Sequence, residues 1–197
     1  MPVTNIFFNP IFPQVLETQL LLDLDVKARM IDTVISQKDT ANYHGGYTFH
    51  IQDNFGDFKI LYNFFFDTVT TLFGNVKLSP IHKTWCWANV YNTETFRTNA
   101  HNHIRTSSIN AIYYLTMPKD INSTEGGLNL YTTNSEVIQF QPDEGDLLIM
   151  PNHTVHEPLF HSSFNYRIAI NMEMCIEPSV NNYFTEEKIY ANAKPKL

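Results

Sequence analysis

The spacing of apolar positions changes near residue 80. Before it, Val26, Met30, Val34 and Ile35 recur close to helical spacing, and Asp23 or Asp25 stands where an N-cap carboxylate accepts free amide hydrogens. The pattern predicts a helix ending near Gln37. A second helix is predicted over 56–73, where Phe58, Tyr62, Phe65, Phe66 and Phe73 crowd together like a helix packed against a sheet. Between them, 41–54 carries Gly45-Gly46 with aromatic residues on either side, which suits a loop or short strand.

After Pro80 the pattern becomes short strands punctuated by turns, at 83–91, 107–117, 127–131, 137–140, 146–150, 155–159 and 166–174. So many strands in that length predict an antiparallel barrel or jelly roll. Alternation puts Trp85, Trp87, Asn89 and Tyr91 on one face of the first strand and Cys86, Ala88 and Val90 on the other. The polar-tipped face can line a cavity, or simply pack with its tips satisfied. The turn at Asp143-Glu144-Gly145-Asp146 reads as a hairpin entering a buried strand. No repeat or Gly/Ser linker divides the chain, so 1–197 reads as one domain: an N-terminal support region at 1–79, a β core at 80–175 and a C-terminal extension at 176–197.

Composition narrows the function classes. With 43% hydrophobic and 14% aromatic residues, the 197-residue chain can bury a sizeable core. A formal charge of -7 weighs against a nucleic-acid binder, which draws affinity from counterion release by Lys and Arg. The apolar runs at 15–24 and 62–66 are too short or too interrupted to span a bilayer, and no basic segment precedes an apolar stretch at the N-terminus. The expectation is a soluble, unsecreted protein. Cys86 and Cys175 are expected to be reduced core residues, and the glycosylation-type sites at Asn122 and Asn152 have no meaning inside a cell.

Candidate chemistry begins with His101 and His103, since residues i and i+2 of an extended segment point the same way. A third histidine from a distant strand, His156, can close a metal-binding face and leave positions open for other ligands. His153 and His161 compete for that third place, whereas His44, His50 and His82 default to structural or surface roles. Eleven residues after His156 stands Arg167, in the apolar strand Tyr166-Arg167-Ile168-Ala169-Ile170-Asn171-Met172. A guanidinium there needs an anion, which is either a ligand or an Asp or Glu of the chain.

Taken in order, these elements resemble the iron(II) and 2-oxoglutarate dependent oxygenases. The matching residues are His101-Asn102-His103, Ile112-Tyr113-Tyr114-Leu115, Glu125-Gly126-Gly127-Leu128, Gly145 to Pro151 ending at His156, and Arg167-Ile168-Ala169-Ile170-Asn171. Trp87-Ala88-Asn89-Val90-Tyr91 is similar to the leading segment of the branch common in marine bacteria and their phages. The likeness covers about residues 80 to 175, with a loose similarity around Gly45-Gly46-Tyr47. One position departs from the pattern: His103 stands where the family usually has the carboxylate of His-X-Asp, although that branch often shows His-X-His.

The resemblance implies a double-stranded β-helix, a jelly-roll or cupin-like core packed by helices. It implies Fe(II) held by His101, His103 and His156, with O2 and 2-oxoglutarate as cosubstrates and succinate as coproduct of a hydroxylation. Arg167 would hold the distal carboxylate of 2-oxoglutarate, Tyr114 matches a tyrosine that reaches the same group in prolyl-hydroxylase-like relatives, and Tyr91 and Asn89 would line that cavity. Trp87 and Asn171 are expected in the substrate pocket, for a small molecule or peptide, in the cytoplasm of a bacterium or phage-infected cell. The alternative is a cupin-type metal- or ligand-binding β-barrel without 2-oxoglutarate, which leaves Arg167 without an assigned anion.

Overall fold

The computed structural model describes residues 6–8, 15–37, 42–43, 46–50, 56–74, 77–78, 85–94, 99–104, 107–132 and 136–177. His44, Gly45, His82 and the C-terminal extension beyond 177 lie outside these, as do the side chains of His50 and Trp85.

Both expected helices form. Helix α1 (Leu24–Gln37) starts at Asp23, whose carboxylate accepts a hydrogen bond from the Asp25 amide at 2.9 Å, so Asp23 is the cap and Asp25 lies in the first turn. It buries Met30 and Val34 completely. Helix α2 (Lys59–Phe73) is the more apolar and buries Leu61, Tyr62, Phe64, Phe65, Thr68, Val69 and Leu72; it ends at Gly74, whose φ of 62° favours a residue without Cβ.

The strands are β1 (Ile6–Phe8), β2 (Leu16–Gln19), β3 (Asn42–Tyr43), β4 (Gly46–His50), β5 (Lys77–Leu78), β6 (Trp85–Tyr91) and β7 (Ile109–Thr116). They continue with β8 (Leu128–Tyr131), β9 (Val137–Phe140), β10 (Asp146–Pro151), β11 (Val155–Pro158), β12 (Arg167–Met174) and β13 (Ile176–Glu177). Eight of them make one antiparallel sheet in the order β1-β2-β10-β7-β12-β6-β4-β3, while β11-β8-β9 form a second sheet and β13-β5 a two-stranded ribbon. The stretch 41–54 contributes the short hairpin of β3 and β4 to the large sheet.

Two expectations are corrected here. The double-stranded β-helix, closed as a jelly roll, does not form: the sheets are open, ending at β1 and β3 in the large one and at β11 and β9 in the small one. The predicted strands are present, but β2, β1, β4 and β3 from the N-terminal third widen the large sheet instead of leaving its edges to close on the small one. The turn at 143–146 is likewise no hairpin, because β9 and β10 belong to different sheets and the chain crosses between them there.

The large sheet is covered on both faces, which explains why β12 is buried at all eight positions. Toward the helices point Cys86, Ala88 and Val90 of β6, Ala111, Tyr113 and Leu115 of β7, and Ile168, Ile170 and Met172 of β12, packed with Met30, Val34 and the α2 aromatics. Toward the small sheet point Ile112, Tyr114, Leu148, Met150 and Ala169, which meet Leu128, Leu130 and Phe140. Each such aliphatic side chain contributes about 1.5–3 kcal/mol on leaving water. By the same alternation Arg167, Asn171 and Glu173 share the face of Ala169, so β12 carries its polar residues into the space between the sheets. No helix among the described residues is long and apolar enough to cross a membrane.

Candidate metal centre

His101 and His156 are brought together by the backbone. The amide of His101 donates to the His156 carbonyl at 3.0 Å and the amide of His156 to the His101 carbonyl at 2.9 Å, an antiparallel bridge that lays the 101–103 segment beside β11. Two residues on, the His103 amide donates to the Asn152 carbonyl at 2.8 Å, which keeps the segment extended so that both its histidines face inward. The result is a cluster in which one ligand nitrogen from each of His101, His103 and His156 lies within 4.8 Å of the others. The competing histidines are elsewhere: His153 is exposed, and buried His161 donates through Nε2 to the Tyr91 carbonyl at 3.2 Å.

Each ring is held through Nδ1. His101 Nδ1 meets the Asn99 carbonyl at 2.8 Å, His156 Nδ1 meets the Thr154 carbonyl at 3.1 Å, and His103 Nδ1 meets the carboxylate of Glu173. Carbonyl and carboxylate oxygens only accept, so each Nδ1 carries the hydrogen and, in the neutral ring, each Nε2 presents its lone pair. Nε2 of His103 and Nε2 of His156 lie 3.4 Å apart. Two bare lone pairs at that distance repel, and a cation held by both would relieve the repulsion. His156 is well suited to stay neutral: burial, followed by the neighbouring charges of His101 and His103, lowers its pKa from the ordinary 6.5 to about 3.

At the far end of β12, Arg167 is 2% exposed and its guanidinium lies over two aromatic rings, 5.7 Å from the centroid of Tyr91 and 5.1 Å from that of Tyr114. No acidic side chain pairs with it among the described residues. Among the described residues its Nε and the Tyr114 hydroxyl are buried without a hydrogen bond of ordinary geometry, although Arg167 lies near enough to the hydroxyl to pull its pKa down, and Nδ2 of Asn171 on the same face of the strand is likewise without one. Burial pushes the Tyr114 hydroxyl up to about 12 against the opposing pull of Arg167, so Tyr114 remains a donor at neutral pH. A row of unanswered donors on one buried face is the complement of an acceptor-rich, anionic ligand.

Trp87 lies opposite Asn171 across the ladder and its ring is 5.9 Å from that of His103, at the histidine end of β12. Tyr91 pairs with Arg167 at the other end, and Asn89 lies between them opposite Ala169. Sequence reasoning missed Glu173. Its signal was available: it follows Arg167, Ala169 and Asn171 at the same alternation, and is a carboxylate within an apolar strand.

At the level of sequence the chain matches no protein-family model, and no curated protein matches it either. Solved structures do resemble it. A Pseudomonas putida prolyl-4-hydroxylase superposes with a TM-score of 0.60 at 13% identity, covering 82% of this chain and 92% of that one. A Trichoplax adhaerens prolyl hydroxylase, in complex with a peptide fragment of hypoxia inducible factor, gives 0.63 at 15% identity over 92% and 88%. An oxidoreductase of the 2OG-Fe(II) oxygenase family from Burkholderia pseudomallei gives 0.61 at 14% identity over 82% and 84%. At these identities the likeness shows a shared fold.

Proposed function

We propose that this chain is an iron(II)- and 2-oxoglutarate-dependent dioxygenase that hydroxylates a small molecule or peptide. The observation that carries the reading is the pairing of two features along one face of β12. Three histidines gather their ligand nitrogens where a single ion could be held, and on the face of the large sheet that meets the small one Arg167 Nε and the Tyr114 hydroxyl are buried donors with no hydrogen-bond partner among the described residues. Three neutral imidazoles are ordinary ligands for Fe(II), and a set of only three from the protein would leave room for a cosubstrate to bind beside them. When bound, iron and 2-oxoglutarate supply the oxidative chemistry, with decarboxylation to succinate linked to hydroxylation.

The protein's residues bind, orient and shield. Asn99, Thr154 and Glu173 fix the three rings through Nδ1, so the lone pairs need no reorganisation to meet the metal. Arg167 and Tyr114 would donate to the distal carboxylate of 2-oxoglutarate in a water-poor pocket, where a charge-assisted hydrogen bond is stronger than in solvent. Tyr91 and Tyr114, both buried, each present a ring to the guanidinium and help keep it from water. Trp87 stands beside His103, and this neighbourhood supports assigning it to the substrate pocket. Prolyl peptides are the first substrates to try, because two of the similar structures are prolyl hydroxylases.

Uncoupled turnover tests the reading without the true substrate. Protein supplied with Fe(II), ascorbate, oxygen and 2-oxoglutarate is expected to form succinate slowly, and His156→Ala to form none. Absence of succinate above a metal-free control, together with no binding of 2-oxoglutarate to metal-loaded protein, would overturn it.

A further inference from the structure

We infer that Glu173 is the anionic member of the metal centre, lending through His103 the negative charge that three imidazoles lack. The inference rests on the oxygenase reading for the identity of the metal, but its geometry is independent of turnover. His103 occupies the position at which the sequence pattern usually has a carboxylate. His101 and His156 donate from Nδ1 to backbone carbonyls, which are neutral, whereas His103 donates to the Glu173 carboxylate. The carboxylate missing from the ligand set therefore stands one imidazole further out, behind the very residue that replaced it.

Burial makes this arrangement consequential. Glu173 is 3% exposed and His103 8%, so the charge acts with little solvent screening. A carboxylate held out of water is stabilised by nearby positive charge, and a divalent ion on the opposite nitrogen of His103 would add to it. In return a ring hydrogen-bonded to a carboxylate would give more electron density to a metal than one bonded to a carbonyl, and would favour the more oxidised state of an iron held there. The fold locks the pair: Glu173 lies opposite Asn110 of β7 and Trp85 of β6, in the fully buried strand that also presents Arg167. One strand thus carries Arg167 near one end and the balancing charge of Glu173 near the other. Glu173 touches the metal only through His103, which makes it a positioning residue.

Glu173→Gln keeps the shape and an oxygen acceptor but removes the charge. Calorimetric titration of the full-length protein with Co(II) should show affinity falling by roughly 10–100-fold, the usual effect of losing a hydrogen-bond partner of a metal-bound histidine. The Fe(III)/Fe(II) midpoint potential should rise relative to the unsubstituted protein. His103→Asp combined with Glu173→Gln returns the charge to the ligand position and should recover most of the lost affinity, an outcome that a merely structural role for Glu173 does not produce and that guards against poor folding of the single variant. Equal affinity and potential in Glu173→Gln and the unsubstituted protein would overturn the inference while leaving succinate formation, and hence the oxygenase reading, untouched. A Glu173-dependent affinity in a protein that makes no succinate would do the reverse, and an unsubstituted protein that binds neither Co(II) nor Fe(II) would overturn both.

Discussion

Arg167 is the residue least compatible with its surroundings unless an anion joins it, since it is charged, almost fully buried and unanswered by any acidic side chain among the described residues. Arg167→Leu is expected to weaken 2-oxoglutarate binding to manganese-loaded protein by about 2–4 kcal/mol, with metal affinity unchanged. Tyr114→Phe removes one neutral donor and should cost about 1 kcal/mol. Calorimetry separates the two, and an Arg167→Leu protein that binds 2-oxoglutarate normally would move the anchor elsewhere. The histidine cluster and Arg167 were legible from the sequence because extended segments alternate and because a guanidinium among Ile and Ala announces a need. Glu173 was legible only as an inward-facing carboxylate, by its alternation with Arg167; its partner was not, because that lies 70 residues away and nothing in Met172-Glu173-Met174 points to His103.

At the scale of elements, β8 shows why a motif residue can be structural. A Cβ on Gly127, just before that strand, would lie 2.4 Å from the Phe140 carbonyl oxygen at the end of β9, an approach no side chain can make. Gly127→Ala should push β8 and β9 apart and destabilise the fold by about 1–3 kcal/mol, as overpacking generally does. Because β8 also pairs with β11, which carries His156, metal affinity should fall in the same variant. A urea midpoint and Co(II) affinity both equal to those of the unsubstituted protein would refute this. The strands themselves were readable from alternation and turn residues, as the positions of β6 to β12 show. Their division among open sheets was not. Alternation in β9 and β10 says which side chains share a face, yet it holds equally for a hairpin and for a crossing between sheets, and only the ladders decide.

For the molecule as a whole, the centre links parts that unfolding would separate: the 101–103 segment, β11 of the small sheet and, through Glu173, the middle of the large sheet. Protons and metal should compete for this link. In the folded protein His156 resists protonation down to about pH 3, whereas in the unfolded chain it takes a proton near its ordinary 6.5. A lowered folded-state pKa means that the unfolded state binds more protons as the pH falls, so this contribution to stability is complete above about pH 6.5 and is lost progressively toward about pH 3. The urea midpoint of metal-free protein should accordingly drop between pH 7.5 and 5, where most carboxylates remain ionised. In His156→Ala the midpoint starts lower because of the cavity and should drop less over the same interval, so the two curves converge. Metal reinforces the high-pH state: Co(II) at 100 times its dissociation constant should add about 2.7 kcal/mol at pH 7.5, if it binds only the folded protein, and a chelator should remove the gain. Parallel pH curves for the two proteins would show that His156 does not carry the acid sensitivity, and a Co(II) gain that survives His156→Ala would place the ion elsewhere.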